Sequence, residues 1–162
     1  MLSREPDDTG DAFCSARLPA RSAIIDFECV ICDEKGVADF WAVRTALARG
    51  KAEHAFLYAF DVLELDGEDL RKQPWEERRV RLKQLLKKTG PGIVLSEHTE
   101  GDGEALFRKA CDMDLEGLVA KRRLARYRSG PCKDWVKVKN RESPAFTRVK
   151  DAIDAKIARR SK

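Results

Sequence analysis

Residues 55 to 65, Ala-Phe-Leu-Tyr-Ala-Phe-Asp-Val-Leu-Glu-Leu, form an almost continuous apolar run that Asp66-Gly67 closes. A strand with one wet face alternates apolar and polar residues, so an uninterrupted run of this length reads as a central strand buried on both faces, ended by a turn. The remaining elements must be able to cover it. Residues 23 to 31 alternate as a strand, with Ile24, Asp26, Glu28 and Val30 on one face and Ile25, Phe27, Cys29 and Ile31 on the other. A helix is expected over 40 to 49, capped by Asp39 and left at Gly50, and a second from Pro74. The second turns Trp75, Leu82, Leu85 and Leu86 to the core and Arg78, Arg79, Arg81 and Lys83 to water. A strand over 92 to 97, a helix over 102 to 113 capped by Asp102 with Leu106, Phe107, Ala110 and Cys111 inward, and strands over 116 to 122 and 134 to 139 complete the pattern. Strands and helices mixed without regular alternation indicate an α+β fold.

With 162 residues the chain is one domain at most, and 37% charged residues with a mean hydropathy of −0.51 point to a soluble protein. No apolar run approaches a membrane span and no signal pattern opens the chain, so the expected location is cytoplasmic, with no membrane partner. Five cysteines lack framework spacing, and Cys29 and Cys32 lie in an apolar strand pattern. They read as small core residues in a reducing compartment. His54 and His98 stand apart from any cluster with ligand spacing.

Charge is uneven along the chain. The total is +4, yet from Glu116 to Lys150 eleven Lys or Arg face three acids. Such a block suits a polyphosphate or a nucleic-acid backbone, and equally a solubilising surface. Within it, Trp135, Lys137 and Lys139 alternate with Val136 and Val138, so an extended strand sets both ammonium groups on one face, about 7 Å apart. A solvated strand face reads the same way, but here a carboxylate-led strand (Glu116-Gly-Leu-Val-Ala-Lys121-Arg122) and a basic glycine-containing stretch (Tyr127-Arg128-Ser129-Gly130) precede it.

Taken in order, these strings resemble the signature motifs of ATP-dependent DNA ligases, within the covalent nucleotidyltransferases, and look most like the ligase modules of bacterial non-homologous end joining and small stand-alone relatives. The two C-terminal strings are similar to the family's last two motifs. Phe56 to Gly67 resembles its central motif, and Ser22-Ala-Ile-Ile-Asp26-Phe27-Glu28 resembles the strand usually written Ile-Asp-Gly-Glu, with Asp33-Glu-Lys-Gly36 as its turn and Asp39-Phe40 beyond. The resemblance implies a partial nucleotidyltransferase (adenylation) domain over 22–142, with mixed, largely antiparallel sheets and flanking helices, between an unmatched segment 1–21 and a basic tail 143–162.

It also implies roles. ATP and Mg²⁺ are the expected cofactors and DNA the expected partner. Lys137 and Lys139 contact the nucleotide phosphates, Glu116 is a metal carboxylate, Phe60 stacks on adenine and Glu28 reaches the ribose or metal. Phe60 reads equally as a core phenylalanine, and Glu28 as a plain surface acid. Phe27 stands where the family has glycine, and so bulky a residue is expected to shift the strand or block the pocket. The family's nucleophile, the lysine of a Lys-x-Asp-Gly motif upstream of the Asp26 strand, has no counterpart, since the first lysine is Lys35 and the motif occurs nowhere. An OB-fold domain would follow Pro144 in a full family member. The functional expectation is an ATP-dependent DNA ligase family protein of DNA repair and recombination, unable to self-adenylate alone and possessing no catalytic lysine, with a separate chain supplying the N-terminal part. The alternative is a non-catalytic truncated remnant or a basic nucleic-acid-binding module.

Overall fold

The computed structural model describes residues 18–32, 34, 38–50, 54–144, 146 and 147. The chain divides into two compact units, one of residues 1–97 with 123–128 and the other of 98–122 with 129–162. Among the described residues no helix is long and apolar enough to cross a membrane.

The first unit is built on the strand that the apolar run predicts. That strand, β2 (Phe56–Leu65), pairs antiparallel with β1 (Ala23–Val30) along one edge. Its other edge takes β3 (Glu68–Asp69), antiparallel, and β4 (Ile93–Leu95), parallel. The β2–β3 connection is the two-residue turn Asp66-Gly67, with φ of 52° and 91°, the pair of positive values that a type I′ hairpin requires. Helix α1 (Phe40–Arg49) has the predicted bounds. The Asp39 carboxylate accepts from the Trp41 and Ala42 amides, and Gly50 ends the helix in the left-handed region.

Helix α2 (Trp75–Leu86) packs on β2. Ala59 and Val62 meet Leu70 and Leu82 in a fully buried cluster, joined by Ile25, Leu65, Leu86, Ile93 and Leu95. Burial of a leucine such as Leu82 contributes roughly 1.5–3 kcal/mol. Trp75, Leu82 and Leu85 are buried as the periodicity predicts, but the expected outward direction of Arg78 and Arg79 is wrong. Asp61 sits fully buried in β2, and Arg78 meets it with two parallel bonds, Nε to Oδ1 at 2.8 Å and Nη2 to Oδ2 at 2.6 Å. A carboxylate in an apolar strand needs a buried cation, and that need outweighs the polarity of the arginine. Arg79 donates to the carbonyls of Phe60 and Ser96. Burial lowers the affinity of its guanidinium for the proton, and the nearby Asp61 offsets part of that effect.

No side chain caps the start of α2. Its first amides are met instead by residues 123–128: Trp75 N–H donates to the Ala125 carbonyl (2.8 Å) and Glu76 N–H to that of Arg123 (3.1 Å). Tyr127 N–H donates to the Arg71 carbonyl (3.0 Å), Arg78 Nη1 to the carbonyls of Gln73 (2.6 Å) and Ala125 (3.4 Å), and Arg123 pairs with Glu76 at 2.8 Å.

Clean alternation along β1 is also corrected. Ile24 and the adjacent Phe27 and Glu28 are exposed, whereas Ile25 and Asp26 are half-buried. Ile24 faces Glu64 and Ile25 faces Val62; Asp26 faces Asp61 and Phe27 faces Ala59. At each step β2 carries one extra residue, Leu63 and then Phe60, as in a β-bulge, and such insertions turn the strand. Strand β1 stays paired on both sides of Phe27, whose side chain is 46% exposed, and the second register shift falls at the Asp26–Phe27 step.

The second unit holds helix α3 (Gly103–Asp112), capped by Asp102 as predicted, packed on β5 (Gly117–Lys121). Strand β5 pairs antiparallel with β6 (Trp135–Lys139) in a two-stranded ribbon. The segment from Ser143 begins a helical turn: the Ser143 hydroxyl, fully buried, accepts from the Phe146 amide at 3.1 Å. The rest of the expected basic tail, residues 148–162, lies outside the described residues, as do 1–17 and Asp33 and Lys35 to Val37 of the expected turn after β1.

Candidate phosphate-binding ribbon

In the β5–β6 ribbon Val119 faces Lys137 and Gly117 faces Lys139, while Lys121 faces Trp135. Period-two alternation therefore places Lys121, Lys137 and Lys139 on one face. Leu118, Ala120, Val136 and Val138 take the other. Glu116 precedes the ribbon and bends its carboxylate over it. One oxygen, Oε1, lies 3.5 Å from Lys137 Nζ and 3.6 Å from Lys139 Nζ. The three side chains are 48%, 56% and 48% exposed in the order Glu116, Lys137, Lys139. Ion pairs so open to water contribute at most about 1 kcal/mol each.

Two backbone features fix Glu116. Gly117 adopts φ 148°, and a Cβ there would lie 2.0 Å from the Val138 carbonyl oxygen, so only glycine lets the strands approach. Asn140, buried at the end of β6, donates its N–H to the Glu116 carbonyl (2.7 Å) and its Nδ2 to the Leu115 carbonyl (3.2 Å). Its Oδ1 accepts from the Glu142 amide at 3.1 Å. Asn140 thus positions the acid that the lysines share. Lys121 Nζ lies 3.9 Å from the centre of the Trp135 ring, a cation–π contact, and Lys139 Nζ lies 5.8 Å from that of Phe146.

Of the residues expected to form a site, Glu116, Lys137 and Lys139 come together in this unit. Phe60 and Glu28 belong to the first. Phe60 is half-buried at the extra position of β2, and Glu28 is exposed on β1 opposite Tyr58. The roles of Asn140 and Lys121 escaped the sequence reading, although an asparagine directly after a strand is a recurrent device for tying loop backbone. A shallow concavity of about 250 Å³ in the first unit is lined by Pro19, Leu65, Asp66, Arg81, Gln84, Leu85 and Lys88, none of them an expected site residue.

The ribbon's side chains do not by themselves fit a divalent metal ion. Glu116 is one carboxylate with two ammonium groups within 4 Å, and among the described residues no group of three His, Cys, Asp or Glu is placed to hold a cation.

Comparison with known proteins gives the chain its relatives. The family model described as ATP dependent DNA ligase domain matches residues 3–139, including most of the stretch before Ser22 that the motifs leave unmatched. The multifunctional non-homologous end joining protein LigD of Pseudomonas aeruginosa is 37% identical over 125 residues, covering 76% of this chain and 15% of that protein. The SPbeta prophage-derived DNA ligase-like protein LigB of Bacillus subtilis is 32% identical over 119 residues, covering 72% of this chain and 44% of that protein. Among solved structures, a mycobacterial DNA ligase D complexed with ATP and MES superposes with a TM-score of 0.63 at 34% identity, over 73% of this chain and 38% of that one. The ligase domain of LigD from M. tuberculosis gives 0.62 at 35%, over 72% and 38%. The chain thus spans less than half the length of each of these proteins.

Proposed function

Because the chain belongs to the ATP-dependent DNA ligase family, we propose that its β5–β6 ribbon is the phosphate-binding part of an adenylation centre, with ATP and the Mg²⁺ that accompanies it as ligands. The observation that carries this reading is the convergence of Lys137 and Lys139 on one carboxylate oxygen, on an exposed strand face. Two ammonium groups that converge on one oxygen from the same strand face can do the same for the oxygens of a polyphosphate, and they offset the charge that builds when a phosphorus is attacked. Phe60 stacks on the base and Glu28 meets the ribose in the same reading. The adenylation portion reaches Glu142, and the residues from Ser143 are a basic extension. DNA is the substrate class, in cytoplasmic repair and recombination.

The 162-residue chain does not form lysyl-AMP by itself. No Lys-x-Asp-Gly occurs in it, and cations that bind phosphate cannot replace an amine held against the α-phosphorus. The amine that attacks the α-phosphorus must come from outside these 162 residues. The density of positive charge from Glu116 to Lys150 favours a second activity, binding of a nucleic-acid backbone.

Calorimetry with ATP and Mg²⁺ tests the site. Lys137→Glu abolishes binding, whereas Lys109→Glu, exposed on α3, leaves it unchanged. Equal losses from both substitutions refute the site. With α-labelled ATP the chain gives no labelled band after denaturing electrophoresis. A band abolished by mutation of one lysine contradicts the inability to self-adenylate.

A further inference from the structure

We infer that Glu116 is a tethered counter-anion, seated on Lys137 and Lys139 where a phosphate group of the ligand goes, so that polyphosphate must displace it. The inference rests on the phosphate-binding reading of the ribbon and adds to it a mode of control.

Three observations support it. A single oxygen serves both lysines, and at 3.5 and 3.6 Å the separations exceed those of tight charged hydrogen bonds, about 2.7–2.9 Å. The acid is therefore held by charge and is free to exchange. Its backbone cannot retreat, since Asn140 fixes its carbonyl and Gly117 fixes the turn into β5. Only the side chain can swing aside. Lastly, all three groups are about half exposed, so a swing into water costs little desolvation.

The misfit to a divalent ion follows from the same arrangement. While the lysines lie on Glu116, a cation approaching that carboxylate meets two positive charges. Once a polyphosphate draws the lysines off, the carboxylate is released.

The test uses the 162-residue chain and inorganic tripolyphosphate in calorimetry with EDTA present. Glu116→Gln tightens binding about three- to tenfold, the equivalent of removing one or two exposed ion pairs. Glu116→Ala changes it in the same direction, and Lys137→Glu abolishes it. Magnesium titrated alone into the unsubstituted chain gives no binding heat. Thermal melts identify which acid variants are folded, and either one suffices. If a folded acid variant binds tripolyphosphate no more tightly while Lys137→Glu still abolishes binding, the counter-anion proposal fails and the phosphate site stands. Magnesium binding to the free chain that is lost in Glu116→Gln also overturns the proposal. If Lys137→Glu binds as the unsubstituted chain does, the phosphate site itself is wrong and the proposal falls with it.

Discussion

Replacement of Arg78 by methionine is expected to be the most damaging single change in the first unit. The substitution keeps much of the aliphatic bulk but leaves the Asp61 carboxylate fully buried without its partner, after loss of bonds at 2.8 and 2.6 Å. Breaking a buried pair from one side costs about 3–5 kcal/mol. The carbonyls of Gln73 and Ala125 lose a donor as well. Against a total stability of about 5–15 kcal/mol this is a large share. In urea, with a slope near 2 kcal/mol per molar, the midpoint falls by about 2 M. The informative comparison is Asp61→Val with Arg78→Met. The double variant removes both charges, so it loses less than the sum of the single losses, by a coupling of about 2 kcal/mol or more. Urea unfolding followed by circular dichroism measures all four corners of the cycle. A loss below about 1 kcal/mol for Arg78→Met, or single losses that simply add, would refute the claim that the pair is a coupled unit in the core.

Gly117→Ala is expected to disrupt the β5–β6 ribbon, since the new methyl would lie 2.0 Å from the Val138 carbonyl oxygen at a φ of 148°. Amide exchange of Val136 and Val138, the β6 residues at the hydrogen-bonded positions of the ladder, should then accelerate at least tenfold relative to residues of β2, and unchanged protection would refute the role given to the glycine. DNA binding through residues 121–150 should weaken with salt, each phosphate contact adding about −0.9 to the slope of log affinity against log salt. A flat response between low and moderate salt would make the basic block an ordinary solvated surface.

Local rules read much of the fold correctly because they concern neighbours in sequence. Asp39 and Gly50 punctuate α1, Asp66-Gly67 has the chemistry of its turn, and the Trp-x-Lys-x-Lys alternation gave β6 and the common face of its lysines. Residues in contact across long sequence distances were harder. Asp61 is an ionisable residue within an apolar strand, which signals a buried cation, but nothing local says that the cation is Arg78, 17 residues on. Helical periodicity counts arginine as polar and so sends it outward. The extra residues at Leu63 and Phe60 arise from pairing with β1, and no composition marks them. At the ribbon, strand alternation placed Lys137 and Lys139, whereas the anchoring of Glu116 by Asn140 depends on how β5 and β6 are registered.

The capping of α2 by residues 123–128 has a consequence for the order of events during synthesis. The amides of Trp75 and Glu76, and one arm of Arg78, find their carbonyl partners on a stretch made later, with Arg123 47 residues beyond Glu76 and Ala125 47 residues beyond Arg78. At about 5–20 residues per second, the ribosome leaves the start of that helix open for roughly 2 to 10 s. An emerging chain can assemble β1, β2 and the leucine cluster at once, but it cannot close this unit strictly from its N-terminus. Closure waits until β5 has been made, so the first unit begins to fold before the second and finishes only after α3 and β5 of the second have been made.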